Sequence, residues 1–245
     1  MGLAVRIIPT LLAKGSKLVK GKRFSADRVV GHVQQAARVH QARGVDELCI
    51  LDVAATPEGR GPDFDAVRRL TDGCFMPLTV GGGVRSVEDV KGLLDAGADK
   101  VALRHLWEYR PREMKRAAAR FGSQAIVAAL DVGTRVLGER TWWHPMNALE
   151  TARTAQAFGA GEILLTNADR EGTMEGYDLE LIELVANAVD IPVIAHGGCS
   201  GYEDMYRAIQ AGASAVAAGA LFQFTDCTPR GAAEYLAKKG VEVRL

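Results

Sequence analysis

The sequence predicts a closed (β/α)₈ barrel built from two half-barrels, and three observations lead there. Eight short apolar or β-rich runs recur along the 245 residues, about 31 apart (245/8), the length of a strand, a helix and two short loops. The runs are continuous rather than alternating, as expected of parallel strands covered on both faces. The second half of the chain also repeats the first at a shift of 115 residues.

The runs span Arg6 to Leu11, Glu47 to Leu51, Met76 to Val80, Lys100 to Leu103, Ala125 to Leu130, Glu162 to Thr166, Ile191 to Ala195 and Ala215 to Ala218. Segments with helical spacing separate them, among them Val87 to Ala96, Pro111 to Arg120, Leu179 to Ala188, Glu203 to Ala211 and Arg230 to Lys239. The repeat lays Pro77 to Gly83 on Pro192 to Gly198, Glu88-Asp89 on Glu203-Asp204, Ala96 to Ala98 on Ala211 to Ala213, and Glu47 on Glu162. No linker interrupts it, so residues 1–245 read as a single barrel domain, with an open doubly wound sheet as the alternative.

Composition bounds the function. Thirty Lys and Arg balance thirty Asp and Glu, so the chain lacks the basic field of a nucleic-acid or anionic-membrane binder. No apolar run reaches the roughly 18 residues of a membrane span, and a cytoplasmic protein is expected. Cys49, Cys74, Cys199 and Cys227 show no metal-ligand spacing and read as reduced thiols; neither metal nor cofactor is expected.

In such a barrel the chemistry lies at the C-terminal strand ends. Those ends carry Leu12 to Gly15, Asp52, Gly81-Gly82-Gly83, Arg104-His105, Asp131, Asn167 with Asp169 to Thr173, Gly197-Gly198, and Ala218-Gly219. Glycine at a strand end exposes backbone N–H groups and removes bulk, so the repeat predicts two phosphate cradles and a substrate with a phosphate at each end, or an elongated phosphosugar or nucleotide. Tight βα turns are the structural alternative. Asp131, closing an otherwise apolar strand, is the candidate general acid/base. At the opposite rim Arg6, Glu47, Lys100 and Glu162 begin four strands, so closure gathers two cations and two anions into a neutral cluster that plugs the floor or gates a passage.

Further motifs carry a resemblance over essentially the whole length: Arg6-Ile7-Ile8, Leu18 to Gly21, Asp46-Glu47-Leu48 with Leu51-Asp52, Thr79 to Gly83, Gly97 to Val101, Phe121 to Ala125, Gly159 to Thr166, Asp169-Arg170 with Gly172-Thr173, and Gly240 to Leu245. The chain resembles the cyclase subunit of imidazole glycerol phosphate synthase, a histidine-pathway barrel that works with a glutaminase. The resemblance implies a class I glutaminase docked on the floor beside Asp99, and ammonia passing a gate of Arg6, Glu47, Lys100 and Glu162 to the upper site. It implies substrate contacts at Asp52, Gly82, Gly83, Arg104, Thr166, Asp169, Gly172, Gly197, Gly198, Ala218 and Gly219.

The family uses two aspartates, at the ends of the first and fifth strands. Asp131 matches the second, but the first falls on Leu12, and aligning Ile7 to Leu12 with Ile126 to Asp131 gives the same answer. Leucine cannot move a proton. Ala13 to Ser16 and Val29 to His32 stand where more acidic loops are expected, and Arg104-His105 replaces small polar residues. Trp142-Trp143-His144 follows Asp131 in a shortened loop and is placed to stack on a base or sugar, or to pack. The Pro9 to Leu12 stretch resembles relatives found with surface-polysaccharide genes, which implies ammonia delivery to a separate sugar-amidinating enzyme. The competing expectations are ordinary cyclase activity with His32 or Lys14 as substitute acid, and a non-catalytic scaffold for the glutaminase.

Overall fold

A computed structural model of the chain describes residues 4–26, 28–133, 136–137, 140–141 and 147–245. Eight parallel strands form the barrel: β1 (Arg6–Lys14), β2 (Leu48–Asp52), β3 (Leu78–Gly81), β4 (Lys100–Leu103), β5 (Ile126–Val132), β6 (Glu162–Asn167), β7 (Val193–His196) and β8 (Ala215–Ala218). Neighbours in sequence are neighbours in space, and β8 returns to β1 through Arg6↔Ala215 to Pro9↔Ala218, which removes both sheet edges.

The predicted two-fold repeat is visible in the hydrogen-bond register. β3 and β4 map onto β7 and β8 at a shift of 115, residue for residue at both ends. Leu12 pairs with Leu51, while Asp131 pairs with Thr166, which is Leu51 shifted by the same 115. Leu12 and Asp131 therefore occupy equivalent places in the two halves.

Helices α1 (Val33–Ala42), α2 (Phe64–Thr71), α3 (Val87–Asp95), α4 (Pro111–Phe121), α5 (Ala148–Ala157), α6 (Leu179–Ala186), α7 (Tyr202–Gln210) and α8 (Pro229–Lys238) cover the barrel. Their starts are set locally. Ser86 and Asp89 form a capping box on α3, and Asp178 and Thr228 accept first-turn N–H groups of α6 and α8. In the repeat Gly201 replaces Ser86, yet Asp204 still accepts the Ser200 N–H as Asp89 accepts that of Arg85. Short helices His105–Tyr109 and Ala220–Phe224 begin just after β4 and β8. Among the described residues, no helix is long and apolar enough to cross a membrane.

One region differs from the sequence reading. Ala13 to Ser16 and Val29 to His32, read as loops, belong largely to strands: β1 runs on to Lys14, turns, and pairs with Lys17–Lys20, which pairs in turn with Arg28–His32. This antiparallel arm folds across the C-terminal mouth of the barrel. Beyond β5, Val136–Leu137 and Arg140–Thr141 form a small ladder; Trp142, Trp143 and His144 lie outside the described residues.

Alternation divides the core in two. Outward side chains such as Leu11, Leu48, Leu103, Ile126 and Ile163 pack under the helices. Inward ones, Ile8, Cys49, Ala102, Val127, Leu164, Ile194, Ala215 and Ala217, fill the barrel with an apolar column. Cys49 and Cys199 are buried free thiols, and burial pushes Cys199 up to about 12, so neither is a ready nucleophile.

The strand-end glycines have packing reasons of their own. Gly198 has φ +100°, and a Cβ there would collide with the Gly176 carbonyl. Gly198→Ala is expected to cost about 3 kcal/mol or more, through strain plus collision. Gly44→Ala, at φ +64° with open space around it, should cost about 1 kcal/mol. Urea midpoints of the two variants check this; equal losses would show that the collision relaxes away.

Candidate functional site

At the floor, four charged side chains form a closed alternating ring. Arg6 donates to Glu47 at 2.6 Å and to Glu162 at 2.5 Å, and Lys100 Nζ reaches Glu47 at 2.9 Å and Glu162 at 2.8 Å. The Thr79 hydroxyl donates to the second Glu47 oxygen at 2.6 Å. Glu47 is 3% exposed, whereas Arg6 keeps 25% of its side chain accessible from below. Burial alone would raise the Glu47 carboxyl; Lys100, Thr79 and Arg6 outweigh it and hold it below the usual carboxylate range. Burial likewise opposes charge on Arg6, but Glu162 and Glu47 raise it overall. Asp99, exposed beside this ring, accepts the Leu78 N–H at 2.8 Å and so steadies the start of β3.

Above the ring stands the apolar column, and above that the mouth. A cavity of about 110 Å³ opens over β2 to β5, walled by Phe24, Gly82, Gly83, Arg104, Ala129 and Asp131 among others. Asp131 keeps 12% of its side chain exposed, and Arg104 Nε stands 3.4 Å from its Oδ2. Across the mouth Leu12 is 7% exposed and packs with Val19, Phe24, Val53 and Ala168, an apolar cluster beneath the arm. The strap carrying Phe24 is tied to the loop after β6. Glu171 accepts the Phe24 N–H at 2.6 Å, its carbonyl accepts the Arg23 N–H at 2.9 Å, and Arg23 Nε donates to the Asp169 carbonyl at 3.3 Å.

Residues 6–228 match the family described as histidine biosynthesis protein. The chain is also 46% identical over 251 residues to imidazole glycerol phosphate synthase subunit HisF of Hyphomonas neptunium, covering 99% of each chain. It belongs to this cyclase-subunit family. The resemblance drawn from the motifs is thereby borne out for the chain as a whole.

The expected site residues of this family member fall into three groups. Arg6, Glu47, Lys100 and Glu162 come together, as the strand starts predicted. Gly82, Gly83, Arg104 and Asp131 also come together, around one cavity. Asp52 borders that cavity too, but both its oxygens are engaged. They accept N–H groups of Gly15, Ala54 and Ala55 and face Arg60 at 3.0 and 3.1 Å, so the carboxylate organises the loops after β1 and β2.

The third group lies across the mouth and is more tightly packed. Thr166 Oγ1 is 3.1 Å from His196 Nδ1, both buried. Gly172 sits where a Cβ would be 2.5 Å from the Gly21 carbonyl oxygen, bringing the loop after β6 against the arm. Gly197 and Gly198 are buried, Gly219 lies against the Thr10 carbonyl, and the Ala218 side chain points outward into the helix-facing core. Of the two substitute acids, Lys14 is paired with Glu58 at 2.8 Å, and His32 lines a neighbouring cavity beside α1 and α2 that meets the first at Asp52 and Gly82.

The sequence reading missed Phe24, Arg60 and His196. Only His196 left a signal, standing opposite Gly81 in the repeat. Burial pushes the His196 imidazole down to about 4, and burial followed by Arg43 does the same for His40. Both are neutral in the fold, whereas an unfolded chain protonates them near pH 6.5. Stability is therefore complete above about pH 6.5 and falls as pH drops toward 4, where loss of the Glu47 contribution adds to the decline. Urea unfolding across this range checks the sign. His196→Asn should flatten the pH dependence, and an unchanged slope would remove His196 from the account.

Proposed function

We propose that the chain is the synthase subunit of a glutamine amidotransferase complex, conducting ammonia from a class I glutaminase docked on the floor to a phosphorylated acceptor at the mouth. We further propose that its acceptor chemistry has moved away from histidine biosynthesis. The observation carrying this reading is the contrast between the two ends. The floor ring keeps all four charges in mutual contact, while the mouth has Leu12, packed in an apolar cluster, at the place equivalent to Asp131.

The ring favours a gate over a simple plug on energetic grounds. Buried ion pairs gain little over well-packed apolar residues, so stability alone is a poor reason to hold four charges there. The apolar column above is a surrounding that neutral ammonia enters at far less cost than a charged ion. On this reading Asp131 is the remaining acid/base group, Arg104 and the Gly82-Gly83 amides receive an anionic group, and Asp99 belongs to the partner-facing floor. A third, sugar-modifying enzyme is the proposed consumer of the ammonia or of its product.

Ordinary imidazole glycerol phosphate synthesis is the second reading, favoured by 46% identity over 99% of a subunit of that name. It requires another group to do the work of the missing acid; Lys14 is paired with Glu58, and His32 lines a cavity whose walls do not include Asp131. A purely non-catalytic scaffold would need no phosphate cradle.

Complementation of a strain lacking the histidine cyclase separates these readings: no growth without histidine is expected, and growth would establish the second. Coupling of glutamine hydrolysis in a co-expressed class I glutaminase to this barrel is expected as well, and its absence would end the ammonia-transfer reading. Leu12→Asp should not restore the enzyme, because it buries a carboxylate against Val19, Phe24 and Ala168. A loss of about 2–4 kcal/mol in urea unfolding, without cyclase gain, is the expected result.

A further inference from the structure

We propose that the space between α1, α2 and the ends of β1 to β3 is a binding site for a small neutral aromatic molecule, one ring or two fused rings, distinct from the floor ring and the mouth. It stands independently of the proposed acceptor chemistry.

The cavity there measures about 180 Å³, against about 110 Å³ at the mouth. Protein interiors are close-packed, and voids larger than a water molecule are few. The inner wall belongs to the helix-facing core: Ala13, Val33, Ile50, Leu70, Val80 and Leu93 are all buried. Polar side chains gather at the outer rim, where Ser16, His32 and Gln35 are exposed. An apolar well with a few polar groups at its lip is the usual make-up of a small-molecule site. An apolar cavity of about 150 Å³ holds benzene, so a space of this size takes a ring of that order or a fused pair.

The second half of the chain shows how the same layer is filled by the protein itself. At the shift of 115, α2 falls on α6 and its capping Asp63 falls on the capping Asp178, so side chains compare one by one. Leu181 stands in place of Ala66, and Tyr177 in place of Pro62. Ala13 pairs with Asp52 as Val132 pairs with Asn167, so Val132 stands in place of Ala13. All three larger side chains are buried. Deeper in the layer the order reverses, with Leu70, Val80 and Leu93 against Val185, Ala195 and Ala208. The first half thus has less bulk on its β1 and α2 walls near the strand ends and more below, which makes a well with a closed bottom.

Charge narrows the ligand class. Asp52 forms part of the wall shared with the mouth cavity, and its oxygens are already taken by Gly15, Ala54, Ala55 and Arg60. An ion of either sign would lose water to the apolar wall, and an anion would also face this carboxylate. A flat uncharged ring loses little and gains contact on both faces, with any N–H or O–H edge turned to the rim.

An NMR titration of the whole protein with indole, and with indole-3-carboxylate as its charged match, tests this. Indole is expected to bind saturably with a Kd below about 1 mM, shifting the amides of Val33, Ala66 and Leu70, and the carboxylate about tenfold more weakly or worse. Ala66→Leu and Ala13→Val each copy the other half; either should weaken indole about tenfold or more with the melting temperature unchanged or raised, because a void is filled. If Ala66→Leu does not fold, Ala13→Val decides. The proposal is overturned by no saturation up to about 5 mM indole, by the largest shifts falling at Ala129 and Asp131, by equal binding of the carboxylate, or by folded variants that bind as the parent does.

Discussion

Closure of β1 onto β8, with Arg6 opposite Ala215 and Thr10 opposite Cys49 on the other side, fixes the register on which everything else depends. Once that pairing is set, alternation sends Arg6, Ile8 and Leu12 inward and Ile7, Leu11 and Ala13 toward the helices. A slip of one residue would exchange the two sets, putting charges under the helix layer and aliphatic groups in the ring. The floor ring, the apolar column and the position of Asp131 are thus one constraint seen at three depths.

The floor and the mouth solve different electrostatic problems with that register. At the floor four charges satisfy each other, so no single carboxylate is left buried without a cation, and removing one partner would be far costlier than removing all four. At the mouth the strand ends differ. Asp131 on β5 faces Arg104 on β4, whereas Leu12 on β1 sits in a packed apolar cluster beneath an arm tied down by Glu171. The barrel frame remained two-fold while its chemistry did not, because strand register is set by backbone pairing and the mouth by single side chains.

Much of this was legible in the sequence. The eight runs marked the strands to within a few residues, since a strand covered on both faces must be apolar throughout, and the shift of 115 anticipated the register itself. The ring was legible because Arg6, Lys100 and Glu162 begin their strands and Glu47 stands one residue ahead of its own. The arm was not. Lys17–Lys20 and Arg28–His32 are short and partly charged, and their partner is a strand end that itself read as loop. Phe24 carries no periodic signal, and that Asp52 is occupied by Arg60 and three amides follows only from folding the loop back. The glycines gave an ambiguous signal for a physical reason: close packing against neighbouring loops and room for an anion both require the absence of a side chain.

Leu12 and the arm depend on one another. An aspartate at that place would need water or donors around it, and a closed apolar strap would deny both. A leucine there has the opposite need, since leaving it in an open mouth would expose its side chain, and burial under Val19 and Phe24 removes that surface from water. A leucine at this place and an apolar arm over it therefore stabilise each other. Asp131, Arg104 and the cavity lie together over β2 to β5, above the column that rises from the ring.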